Sequence, residues 1–166
     1  MSKTKVFITN LAKYNAGELV GEWFTLSEGI DELNKVLKKV LGSDEEYFIS
    51  DYEADFEIGE YDNLEELVKF ASLFDELSEV EKTVVIYLSE FLGLNREDIF
   101  LKMKSETLLD DCIVYEASNE TELGEEISDC MEIPEHLKGY IDYEKIGRDE
   151  VYNGATQVGD YYIIYN

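Results

Sequence analysis

The sequence predicts an α+β fold built from three short segments, and three observations lead to this prediction. Short runs of apolar residues near both ends of the chain, such as those over 6–8 and 161–165, are typical of strands. In the middle, apolar residues recur at every third or fourth position, which is typical of helices. Of the 166 residues 45% are hydrophobic and one is Pro, so the chain can bury a core. The changes of period predict an N-terminal α+β domain over 1–61, a short helical bundle over 62–103 and a C-terminal α+β domain over 104–166.

The N-terminal domain is predicted to contain strands, one helix and a long extended segment. Apolar residues predict strands over 6–11 and 18–26. Ser27 is expected to cap a helix that ends at Gly42, because hydroxyls accept backbone N–H groups and Gly tolerates the left-handed conformation. Residues 47–58 are expected to be extended.

The helical domain carries clear start signals. Asn63 and Asn95 stand where the first and third helices should begin, and Ser78 with Glu81 forms a capping box that opens the second. The C-terminal domain is predicted to contain strands over 112–115 and 161–165, a helix over 119–131 and a shorter helix after Pro134.

The charge of the chain restricts its partners. There are 39 acidic and 14 basic residues, and the net charge of −25 divides over the three predicted domains as −7, −6 and −12. Residues 40–68 and 105–137 each hold 11 acidic residues and no Lys or Arg. Such a polyanion repels nucleic acid, anionic membranes and acidic substrates, and its natural partners are basic surfaces or cations. Adaptation to high salt is an alternative explanation, but 12 Lys against 2 Arg point instead to an AT-rich genome.

The acidic residues are patterned into rows. In an extended segment, four carboxylates would line one face about 6.6 Å apart: Asp51, Glu53, Asp55 and Glu57. Four more recur at helical spacing opposite the apolar side chains of Leu123, Ile127 and Met131: Glu122, Glu125, Glu126 and Asp129. The same acidic window adds further members of an expected partner-binding surface: Asp110, Asp111, Glu116, Glu120 and Glu132.

These rows can be compared with duplex DNA, which carries one charge per ~1.7 Å of axis. A single strand row reaches about a quarter of that density, so only a face assembled from several rows could imitate DNA. The net charge of one chain is comparable to that of about 12 base pairs, and that of a dimer to about 25.

The chemistry of catalysis is not visible in the sequence. The segment from Asp51 resembles a calcium loop only superficially, because its sixth position is Phe56 rather than Gly. His136 is the only histidine, is expected to be exposed, and has no metal-ligand spacing or nucleophile motif around it. Cys112 and Cys130 form no CxxC pair and are expected to be buried and reduced. We therefore expect neither an enzyme nor a metal or cofactor.

The sequence contains no apolar segment of the length of a signal peptide or a membrane-spanning helix. We therefore expect a cytoplasmic protein.

Three motifs together resemble the ArdA-type antirestriction family. They are VFITNLxxYNxGxLxGxW at residues 6–23, DYE at 51–53 and YIDYExxGRD at 140–149. A fourth segment, SNETELGEEI at 118–127, is similar to the family region linked with antirestriction. Their order and spacing extend the resemblance over essentially the whole chain.

The resemblance implies an elongated chain of three small domains and a curved homodimer formed through the C-terminal domain. It implies an acidic surface that imitates bent B-form DNA, encoded on mobile genetic elements such as conjugative transposons. The expected partner is the methyltransferase core of type I restriction-modification enzymes, whose restriction and modification would both be blocked, without direct binding to nucleic acid or membrane. The apolar strand residues Ile113, Val114 and Tyr115 are expected at the dimer interface.

Other residues of these motifs have structural explanations. Gly17, Gly21 and Gly147 are expected at turns or close contacts, and Trp23 in the core. Arg148 is expected to pair with a carboxylate such as Asp142 or Asp149.

Two other functional hypotheses stay open. One is an acidic regulatory adaptor that binds another basic DNA-binding protein, and the other is a hydrolase that depends on His136.

Overall fold

The computed structural model describes residues 4–166, which divide into two units, one ending at Glu76 and the other running from Leu77 to Asn166. Each unit combines a three-stranded antiparallel sheet with helices, so the predicted α+β class is confirmed. Of the three helices in the predicted bundle, the first belongs to the first unit and the other two to the second. The division into three domains stays a prediction.

The first unit contains three strands and three helices. In chain order they are β1 (Lys5–Asn10), α1 (Leu11–Asn15), β2 (Gly21–Thr25), α2 (Ile30–Leu41), β3 (Tyr47–Glu53) and α3 (Leu64–Glu76). β1 lies between β2 and β3 and is antiparallel to both. One face of this sheet is buried, with Val6, Ile8 and Phe24 at most 1% exposed. α2 contributes its own apolar stripe to this core, because Leu33, Val36 and Val40 recur at helical spacing and are all buried.

The boundaries of α1 and α2 differ from the predicted ones. β1 stops at Asn10, whose side-chain oxygen accepts the Lys13 N–H (3.0 Å) and so starts α1 at Leu11. Ser27 does not cap α2: it lies in a 3₁₀ turn, and the N-cap is Gly29 with φ 85°. Gly29 begins the helix with a positive φ that glycine adopts without steric cost, so a serine hydroxyl is not needed as a cap. The predicted end at Gly42, with φ 60°, is confirmed.

The extended segment after Tyr47 is shorter than predicted. β3 ends at Glu53, and the chain then turns so that Phe56 and Ile58 are 7% and 4% exposed. Phe56 contacts two rings of α3, with centroids 4.8 Å from Phe70 and 5.2 Å from Phe74. This aromatic cluster favours a bend toward α3 over continuation of the strand.

The second unit contains four helices and three strands. They are α4 (Glu79–Glu90), α5 (Arg96–Lys104), β4 (Cys112–Glu116), α6 (Glu120–Asp129), α7 (Tyr143–Tyr152), β5 (Thr156–Val158) and β6 (Tyr161–Tyr165), with a 3₁₀ turn over Glu135–Tyr140. β6 is central and antiparallel to both β4 and β5. Among the described residues, β4 pairs with β6 alone, so its other edge faces no strand within residues 4–166.

Helices pack on both faces of this second sheet. Leu123 of α6 and Tyr162 of β6 belong to one buried cluster, and the partly buried Val151 of α7 packs against it. Tyr87 of α4 lies near Cys112 and Thr156 on the opposite face, and burial there raises the pKa of its hydroxyl. Successive side chains of β6 therefore point to opposite faces of the sheet: one set packs against α6 and α7, and the other packs against α4.

Candidate functional site

Acidic side chains gather around a concave surface of the second unit. Its volume is about 520 Å³, and it lies between the first turns of α6, the end of β4 and the turn before β6. Within residues 4–166 its lining contains five carboxylates and no basic side chain: Glu116, Ala117, Ser118, Glu122, Glu125, Glu126 and Asp160. We name this surface the acidic concavity.

Local sequence explains how α6 presents these carboxylates. Asn119 caps the helix by accepting the Glu122 N–H (3.0 Å), and Leu123 is fully buried against the sheet. Burial of Leu123 turns Glu122, Glu125 and Glu126 toward solvent, where all three are exposed. The helical spacing of these acids therefore predicted their shared face correctly.

The concavity is completed by contacts that the sequence did not indicate. Asp160 belongs to the turn between β5 and β6, and its carbonyl accepts the Ala117 N–H (3.0 Å). Gln157 donates to the carbonyl of Ser118 (2.9 Å), which ties the same turn to the entry of α6. Asp160 was missed because only the pairing of β6 with β4 brings it next to α6.

Glu122 differs from the other carboxylates of the concavity. Its Oε2 accepts the Ser118 N–H (2.8 Å), and this hydrogen bond, together with Asn119, lowers the pKa of the Glu122 carboxyl. Nearby, burial raises the pKa of the Tyr162 hydroxyl, and the negative charges of Glu120 and Glu122 add to that rise. Glu122 therefore stabilises the start of α6 as well as contributing charge.

Two glycines fix the position of α6 against α7. A Cβ built on Gly124 would overlap the backbone carbonyl of Tyr143, and one built on Gly147 would overlap the backbone carbonyl of Glu120. Each helix thus places a glycine against the backbone of the other, which allows a closer approach than any larger residue. The expectation that Gly147 is a close-contact position is confirmed.

The other predicted acids of the second unit lie outside the concavity. Asp110, Asp129 and Glu132 are exposed, and Glu120 is half-buried. Asp111 forms an ion pair with Lys102 (2.9 Å), and this hydrogen bond raises the pKa of Lys102. Asp111 therefore already has a cationic partner within the protein.

The predicted row in the first unit is exposed but is not a continuous strand face. Asp51 and Glu53 lie on β3, whereas Asp55 and Glu57 follow its end. The Glu53 carboxylate also accepts from Lys5 (3.2 Å).

Four further expectations have definite outcomes. Trp23 is not in the core: it is 42% exposed. Cys130 is exposed and Cys112 half-buried, so the expectation of two buried thiols is wrong, and both are free. His136 is exposed, as predicted. Arg148 does pair with a carboxylate, but its partner is Glu144 (3.5 Å), one helical turn earlier in α7.

Comparison with protein families agrees with the motifs. A family model described as antirestriction protein (ArdA) matches residues 6–164. The chain belongs to the ArdA antirestriction protein family. Membership implies an antirestriction function, and with it restriction-modification enzymes as partners. A comparison with individually curated proteins gave no match.

Among the described residues of this ArdA-family chain, no helix is both long and apolar enough to cross a membrane. Within the same residues, no cluster of His, Cys, Asp and Glu could hold a metal ion.

Proposed function

We propose that this ArdA-family protein inhibits type I restriction-modification enzymes by occupying their DNA-binding cleft as an acidic imitation of duplex DNA. The observation that carries the proposal is the acidic concavity, where five carboxylates converge on one surface without a basic side chain among its lining residues. Charges so placed repel one another, so they cost stability in the free protein. Such an arrangement is explained by a basic partner that neutralises them on binding.

The proposed mechanism is binding rather than catalysis. Exposed carboxylates replace phosphates as partners for Lys and Arg in the cleft, and each contact contributes little when it is solvated and screened. Affinity then comes from many such contacts, as it does for DNA itself. When the protein occupies the cleft, modification is blocked as well as restriction, because both reactions need bound DNA. No metal or cofactor takes part.

The protein is further proposed to act as a homodimer joined along β4. Ile113 and Tyr115 point to one face of the sheet and Val114 to the other, so one flat surface cannot bury all three. They can share an interface if the unpaired edge of β4 pairs with its copy across a twofold axis. Ile113, which is 40% exposed, would then be covered.

The experiment is a cleavage and methylation assay with a purified type I enzyme, and a type II endonuclease as control. We expect inhibition of both type I reactions and none of the type II enzyme. Replacing Glu116, Glu125 and Glu126 together by Gln should weaken inhibition about tenfold, because each exposed charge contributes about 0.5 kcal/mol. Glu122 is kept because it also stabilises α6.

The control variant replaces Asp75 by Asn and Glu76 and Glu97 by Gln. These three residues are exposed and lie outside the concavity, so the same charge is removed elsewhere. Inhibition should stay within about threefold of the wild type. If the protein leaves type I cleavage intact while binding another basic DNA-binding protein, the regulatory-adaptor function replaces the one proposed here.

A further inference from the structure

An aromatic pair lies on the outer face of the first sheet, the face opposite the buried core, with Trp23 exposed and Phe7 half-buried. The strand register places Trp23, Phe7 and Asp51 side by side on β2, β1 and β3. The Phe7 and Trp23 rings meet edge to face, with centroids 5.4 Å apart at 63°. Trp23 is 42% exposed, whereas Val6, Ile8 and Phe24 on the opposite face of the same sheet are at most 1% exposed. We name these three residues the aromatic–acid row.

The row lies at the uncovered end of the outer face. At the other end, Tyr14 of α1 packs its ring on Phe48 of β3, with centroids 5.1 Å apart. Thr9 lies at the same end and is completely buried. α1 therefore covers one half of the outer face and leaves the half with Trp23 accessible.

Gly21 leaves room for the Phe7 ring of the aromatic–acid row. A Cβ at this position would lie 2.7 Å from the Phe7 ring, so the ring occupies the space above Gly21 and rests beside Trp23. On the other side of Phe7, the Asp51 carboxylate accepts the N–H of Tyr52 (2.8 Å). Neighbouring strands are about 4.8 Å apart, so a carboxylate and an exposed indole flank one ring within about 10 Å.

This combination fits a guanidinium group better than any other common ligand. Arginine stacks its planar head on aromatic rings and donates hydrogen bonds to carboxylates in the same plane. Lysine, a compact and strongly hydrated charge, uses such a surface less well. We propose that the aromatic–acid row binds an arginine side chain from the basic cleft of the restriction enzyme. The proposal rests on the proposed function and adds to it a cation–π contact with neutral aromatic rings, beside the ionic contact with Asp51.

Affinity for a purified type I methyltransferase core tests this proposal. We expect Trp23→Ala to weaken binding roughly 2- to 30-fold, the range of a cation–π contact. Trp23→Phe should keep most of the affinity because the ring face is retained. Asp51→Asn should weaken binding at low salt. Tyr61→Ala is the matched control: Tyr61 is 72% exposed in the same unit and outside the row, so its loss should leave the affinity unchanged. Thermal unfolding of each variant shows whether the fold is intact.

A direct readout comes from the single Trp of the chain. Labelling with 5-fluorotryptophan gives one ¹⁹F signal, which should shift on addition of an oligo-arginine peptide and shift less with oligo-lysine of equal length. Equal shifts with the two peptides would overturn the preference for arginine. Wild-type affinity of Trp23→Ala for the enzyme would overturn the row as a contact and leave the proposed function intact. Failure of the wild-type protein to bind the enzyme, with the peptide shift present, would count against the proposed function alone.

Discussion

Gly124 and Gly147 determine how closely α6 and α7 approach each other. Both stand against the backbone of the opposite helix, so an added methyl group meets atoms that cannot rotate away. The helices must then separate, and α6 carries Glu122, Glu125 and Glu126 of the acidic concavity. The two glycines thus determine the positions of the three carboxylates on α6.

We expect Gly147→Ala and Gly124→Ala each to lower the free energy of unfolding by about 1–3 kcal/mol, the usual cost of overpacking. Urea unfolding followed by circular dichroism measures the change. Gly139→Ala is the matched control, because a Cβ there would meet no atom within 4 Å and should change stability by less than about 0.5 kcal/mol. Unchanged stability of both helix variants would show that α6 and α7 do not pack through these glycines.

Elements with local start signals could be predicted from the sequence. The Ser78–Glu81 capping box is present in full, and Asn95 and Asn119 accept the N–H groups expected of helix caps. These features depend on residues three apart, so sequence alone contains them. Helical spacing grouped four acids on α6 for the same reason: three of them line the acidic concavity, and Asp129 lies outside it.

Elements that depend on tertiary packing were missed. α7 carries Gly147 in its middle, which costs a helix about 1 kcal/mol, and only its contact with α6 explains the residue. β5 has three residues and exists through pairing with β6. The ion pair of Asp111 with Lys102 likewise depends on how α5 lies against β4, so the sequence could not show that this carboxylate was already paired.

The capping box of α4 gives a pH-dependent prediction. Hydrogen bonds from the Ser78 side chain and backbone lower the pKa of the Glu81 carboxyl below its ordinary value. Its contribution to stability is therefore complete above the ordinary pKa and is lost as the pH falls through the lowered one. We expect Ser78→Ala to cost about 1 kcal/mol at pH 7 and less at pH 3, measured by urea unfolding. A cost that does not change with pH would contradict this role of Glu81. Ser43→Ala, at an exposed loop position, should be neutral at both pH values.

The charge of the whole molecule determines how it assembles. Two copies with a net charge of −25 repel each other, so a dimer must be held by apolar and backbone contacts and should strengthen as salt screens the repulsion. Sedimentation at micromolar concentration and moderate salt should give about twice the 19.1 kDa chain mass. Ile113→Glu should give the monomer, because it adds charge at the β4 edge, whereas Leu101→Glu, 55% exposed on α5, should leave the dimer intact. A monomeric wild type at every salt concentration would contradict pairing through β4.

Imitation of DNA requires that the protein and DNA exclude each other from one site. A competition titration measures this directly: a labelled duplex that carries the recognition sequence is bound to the type I methyltransferase core, and the unlabelled protein is added. We predict complete displacement of the duplex at a single competitive constant, with an affinity that falls steeply as salt is raised, as expected when many ionic contacts form. A ternary complex of protein, duplex and enzyme would contradict the proposed imitation of DNA.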